Sequence, residues 1–256
     1  MPSEKGHIGP LSGGTSGVFV TGTGTGVGKT VVAAAIARTL AEQGKRVAVF
    51  KPAVTGLDEL ATGGRVDRTS SHTAGGKSPD RPDHQALREA ARSEQTDDEI
   101  APYRYGPPMS PHLAAELASE EISRERLLDG AQTAAAGADA LVCEGVGGLL
   151  VPLSPSYLVR DLAVDLGLPL VIAASPGLGT INHTLLTIEV ARATGLEVTA
   201  VVLTPWPERP SVIESSNRET IAALGEVKVE TLPQLDLSNP ERWPDVLATY
   251  PPIRGG

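Results

Sequence analysis

The stretch VFVTGTGTGVGKTVVAAAIA, residues 18–37, decides the fold. Apolar and β-branched residues lead into a glycine-rich turn closed by Gly28-Lys29-Thr30, and alanine-rich helix formers follow. Strand, loop and helix in that order aim backbone N–H groups and a helix N-terminus at a phosphate. The lysine adds a point charge, and the threonine hydroxyl reaches Mg²⁺. The common spacing G-x-x-x-x-G-K-[ST] asks for glycine at position 23, where this chain has Thr23; the glycine stands one place earlier, at Gly22. Gly22, Gly24, Gly26 and Gly28 still supply the backbone freedom that close approach to oxygens needs. A surface turn that merely contains Gly-Lys-Thr is the alternative, and the flanking strand and long helix speak against it.

Working outward, four more apolar runs read as buried strands: KRVAVF (residues 45–50), ADALVCEG ending at Glu144, LPLVIAAS (168–175) and EVTAVVL (197–203). Between them lie helical patterns at residues 84–94, from Pro111 onward, and after PGLG, where Gly195 reads as a C-cap. The alternation predicts a single-domain α/β fold of the P-loop NTPase type, a mostly parallel sheet with helices on both faces. Residues 1–17 read as a mobile tail, residues 18–256 as one ATP-using domain, and the polar segment 57–83 as a surface insertion. Beyond Leu224 the proline-punctuated sequence predicts no chemistry.

Composition narrows the function. A formal charge of −9 argues against a nucleic-acid partner, because phosphate backbones demand a basic face. A single cysteine, Cys143, allows no internal disulfide and predicts a reducing, cytoplasmic setting. No signal-like segment opens the sequence, and no apolar run approaches the ~20 residues of a membrane span. An anionic substrate must therefore be held by local cations and helix ends.

In a parallel sheet all strands end on one edge, where ligands bind. The loop from Gly22 to Thr30, Lys51, Glu144 and the turn from Gly177 to His183 each follow a strand, so they are expected to share one cleft. Lys51 reads either as a solvated strand terminus or, beside a phosphate loop, as a second cation for a transferring phosphoryl group. Glu144 reads as a helix-capping or solvent-facing acid, or as a Mg²⁺ ligand before a glycine turn. His112 and His183 read as hydrogen-bonded structural residues. No G-x-S-x-G elbow occurs, and one cysteine with five scattered histidines makes a poor zinc site.

Five stretches together resemble the dethiobiotin synthetase family: VTGTGTGVGKT (20–30), KPAVTG (51–56), PPMSPHLAA (107–115), CEGVGGLLVPL (143–153) and GLGTINHTLLT (177–187). That family also carries its first loop glycine six places before the Gly-Lys-Thr glycine, which accounts for Gly22. The resemblance implies an ATP- and Mg²⁺-dependent carboxylation of 7,8-diaminononanoate with CO₂. A carbamate is activated by the γ-phosphoryl group as a mixed anhydride, and the second amine closes the ring.

It implies that Gly26, Val27, Gly28, Lys29 and Thr30 bind the nucleotide, with Lys29, Lys51 and Thr25 catalytic. Thr30, Asp83 and Glu144 would hold Mg²⁺, with Asp80 the alternative to Asp83. Thr55 would face the substrate, and the helix opening at Gly179, Thr180, Ile181 and Asn182 would take its carboxylate across a homodimer interface. Two departures stand out: Leu203-Thr204-Pro205-Trp206 where many members read adenine with Asn, and Val146 in place of a small Ala. The competing readings are a glutamine-using amidoligase, for which no second domain remains, and an ATP-driven partitioning switch, which characteristically carries an extra loop lysine that is absent at Thr23 and Gly24.

Overall fold

The computed structural model describes residues 16–58 and 81–243. Five of its strands lie where unbroken apolar runs predict them: β1 Ser16–Gly22, β2 Val47–Phe50, β3 Ala140–Glu144, β6 Leu170–Ala174 and β7 Val198–Leu203. With β8 Val229–Thr231 they form one six-stranded sheet in the order β2-β3-β1-β6-β7-β8. Every pairing in that sheet is parallel. A small antiparallel pair, β4 Pro152–Ser154 and β5 Tyr157–Leu158, stands apart.

The runs are continuous rather than alternating because the sheet is covered on both faces. Successive side chains still point to opposite sides. Val18 and Val20, Val47 and Val49, and Val171 and Ala173 enter one core with α1 Lys29–Glu42 and α2 Asp83–Ala91. Phe19, Phe50, Cys143 and Ile172 enter the other. That second core is closed by α5 Arg124–Ala135, α6 Val159–Leu166, α7 Thr180–Ala193 and α8 Val212–Gly225. Two short helices, α3 Asp97–Ile100 and α4 Pro111–Leu117, complete the described helical set, with proline in the first turn of α4. No described helix is long and apolar enough to cross a membrane.

Some boundaries differ from expectation. The first strand begins at Ser16, inside the segment read as a tail, because Ser16 and Gly17 pair with Ala140 and Leu141. Most of the tail and of the 57–83 insertion, including Asp80, lies outside the described residues. Asp83 proves to be the first residue of α2. Helix α7 ends at a Thr194 cap followed by Gly195 at φ 80°, the left-handed residue that the sequence placed there.

Candidate active site

Strand order sets the site. β1 lies between β3 and β6, so the glycine loop leaving β1 has the Glu144 turn on one side and the turn into α7 on the other. Gly28, at φ 93°, is the N-cap of α1, and a Cβ on it would meet Thr204 Cγ2 at 2.5 Å. No other residue fits there without moving the strand-end residue that walls the loop. Thr23 N–H donates to Ala173 O, and a Cβ at Gly148 would stand 3.2 Å from Gly22 O. The loop is thus seated against both neighbouring strand ends.

Four charged side chains and one hydroxyl meet at this edge. Lys51 Nζ donates to Glu144 Oε1 at 2.6 Å and lies 2.9 Å from Asp83 Oδ2. Thr30 Oγ1 donates to the same Glu144 Oε1 at 2.9 Å. Lys29 Nζ donates to Gly24 O at 2.8 Å, folding back across its own loop. Lys51 and Glu144 are almost fully buried, and Lys29 is 8% exposed.

Burial of this kind sets the charges. It lowers the Lys29 pKa to about 8, with Glu144 opposing the shift and Lys51 reinforcing it. Burial also works against the Lys51 ammonium, but Asp83 and Glu144 outweigh it and hold its pKa above the ordinary lysine range. Glu144 is pushed upward by burial, which the Lys51 charge offsets only in part. Asp83 is held low: its burial is outweighed by the charge of Lys51 and a hydrogen bond from it.

One atom is left over. Glu144 Oε2 is buried and has no hydrogen-bond partner among the described residues. An acceptor orphaned in a dry site fits a hard cation, and Thr30 Oγ1 and the Asp83 carboxylate stand close enough to complete an oxygen set with nucleotide phosphates and water. Among the described residues no three His, Cys, Asp or Glu side chains converge to hold a metal by themselves.

The remaining expected site residues are placed less tightly. Thr25 and Gly26 are exposed at the loop's crest, with Val27 half-buried beneath it. Thr55 follows Lys51 on a segment tied to its neighbour by the Val54–Arg104 bridge. Gly179, Thr180, Ile181 and Asn182 open α7 from the end of β6. β3 and β6 flank β1, so the α7 start is separated from Glu144 by two strand spacings, about 10 Å at the sheet. The structure therefore joins Thr30, Lys51, Asp83 and Glu144 by direct contact, sets the Lys29 ammonium near enough to feel their charges, and leaves the α7 start beside them.

Val146 packs half-buried against the core. His112 buries Nδ1 without a partner among the described residues, and His183 is exposed. A cavity of about 710 Å³ lined by Gln95, Asp98, Arg126 and Asp129 among others includes no residue of the phosphate loop.

The AAA_26 family model, described as an AAA domain, matches residues 16–242. An ATP-dependent dethiobiotin synthetase BioD of Anaeromyxobacter dehalogenans (strain 2CP-1) is 42% identical over 187 residues, which are 73% of this chain and 75% of that one. The chain belongs to the dethiobiotin synthetase family. A Bacillus licheniformis member of the same name is 36% identical over 205 residues, 80% of each chain. One from Bacillus subtilis (strain 168) is 32% identical over 208 residues, 81% of this chain and 82% of that one. The dethiobiotin synthetase motifs read from the sequence all fall within the matched residues 16–242.

Thr204, noted in the sequence only as part of the Leu203–Trp206 departure, reaches Gly28 and walls the loop. Sequence reasoning missed Asn217, which sits in no motif and donates to Pro176 O and Gly177 O in the turn before α7.

Proposed function

We propose that this chain is an ATP-dependent dethiobiotin synthetase: it carboxylates 7,8-diaminononanoate with CO₂ and closes the ureido ring, releasing ADP and phosphate. The observation that carries the reading is the meeting of Lys51, Asp83, Thr30 and the buried Glu144, with the buried Lys29 close by, at the head of a phosphate loop in a chain of this family. The chemistry needs positioning and charge neutralisation more than acid–base machinery. Gly26, Val27, Gly28 and the first N–H groups of α1 cradle the phosphates. Lys29 gives up Gly24 O for a phosphoryl oxygen. Lys51, kept protonated by two carboxylates, faces the transferring group and the carbamate; Thr25 and Thr55 line the substrate side.

Thr30, Asp83 and Glu144 would hold Mg²⁺, which spreads the negative charge of the terminal phosphates when bound. The start of α7 takes the substrate carboxylate on its free N–H groups. We place that helix across a homodimer interface: Leu178 at 96%, Leu150 at 55% and Leu186 at 52% exposure leave large apolar side chains open on the elements that border the site. A cytoplasmic setting suits the single buried Cys143.

The test is a product assay for dethiobiotin with the diamine, bicarbonate and a panel of nucleoside triphosphates. Phosphate release is expected only when diamine and bicarbonate are both present. Steady ATP hydrolysis without the diamine would overturn the reading in favour of a nucleotide switch.

A further inference from the structure

We propose that Asn217 is a positioning residue for the substrate: from α8 it clamps the turn that aims the N-terminus of α7. The inference rests on the reading that this helix end receives the substrate carboxylate. The turn itself offers little rigidity. Gly177, Leu178 and Gly179 are exposed, and a Cβ at Gly177 would meet none of the described residues within 4 Å. Gly179 sits at φ 89°. Glycines on both sides of an exposed residue leave the chain many conformations, and an anion-binding helix end works only if its N–H groups keep one direction.

One side chain supplies the missing constraint. Asn217 is 7% exposed, and its Nδ2 donates to two successive carbonyls, Pro176 O at 2.9 Å and Gly177 O at 3.2 Å. The amide is well suited to this, because a primary amide carries two donor hydrogens on one nitrogen while an aspartate of the same shape carries none. Its own helix is firmly seated. Gly225 lets α8 approach α7 so closely that a Cβ there would lie 2.9 Å from Ile188 Cδ1. The two helices form one body, and Asn217 extends that body to the turn. Thr180, the first residue of α7, is buried and adds its own N–H to Gly177 O at 3.3 Å, so the clamped carbonyl is shared with the helix start.

The experiment pairs steady-state kinetics with hydrogen exchange on Asn217→Asp and Asn217→Ser in the full-length protein. Asn217→Asp is expected to raise KM for the diamine about fivefold to tenfold, the loss of two modest hydrogen bonds, with KM for MgATP within about twofold. Amide exchange at Leu178, Gly179, Thr180 and Ile181 is expected to quicken about tenfold while residues 188–193 keep their rates. Asn217→Ser retains one donor and is expected to fall between Asp and wild type. Equal rises in both KM values, or unchanged exchange at the turn, would overturn the proposal. If the unaltered protein makes no dethiobiotin, the functional reading fails, whereas the exchange measurement still decides whether the clamp exists.

Discussion

Two buried cations in this molecule meet acidic partners in opposite ways. Arg38, 5% exposed on α1, donates to both carboxylate oxygens of Glu241 at 2.8 and 2.7 Å and to Glu42 at 2.5 Å. Its acids face solvent at 66% and 50% side-chain exposure, so their remaining capacity is met by water. Lys51 is as buried, but its partner Glu144 is fully enclosed and keeps one oxygen without a partner among the described residues. Nearby Lys29 is satisfied, among the described residues, by a backbone carbonyl of its own loop. The Arg38 cluster is complete and ties residues near Glu241 to the first helix. The Lys51 cluster is incomplete, and its unmet capacity points to a phosphate and a cation.

That contrast can be broken most sharply at Lys51. Lys51→Ala is expected to lower kcat by about a thousandfold or more, the scale of losing a charge that stabilises phosphoryl transfer, while a cooperative thermal melt persists. Turnover near wild type would make the cluster structural, like that of Arg38. Glu144→Gln is expected to cost about a hundredfold, with a raised Mg²⁺ requirement that excess metal only partly meets. An unchanged metal titration would remove Glu144 from the cation site. At the complete cluster, Arg38→Met is expected to leave kcat and both KM values within about twofold. It should lower the melting midpoint by about 2–6 °C, since the loss is one of stability alone. A kinetic defect in Arg38→Met would erase the distinction.

Much of this was legible because the sheet is covered on both faces. Its central strands are unbroken apolar runs; Glu144 ends one of them, Lys51 follows another directly, and Lys29 and Thr30 stand where the glycine loop after β1 turns into α1. The edge was harder to read. β8 is only three residues long, and β4 and β5 are three and two. α8 follows Pro205, Pro207 and Pro210, which read as a break; yet Ser211 and Glu214 form a capping box whose S-x-x-E spacing marks its start. Contacts without local spacing stayed hidden. Asn217 reaches back 41 residues to Pro176, and Arg38 reaches 203 residues to Glu241, distances at which no periodicity or motif applies.

The bond from Lys29 to Gly24 O has a thermodynamic consequence. A glycine-rich ring left open would have to be frozen by each arriving nucleotide, at the expense of affinity. Here the lysine closes the ring like a clasp, so most of that ordering is accomplished when the polypeptide folds. An incoming phosphate exchanges a bond from the ammonium to a neutral carbonyl for a stronger one to an anionic oxygen instead of arranging the cradle from scratch.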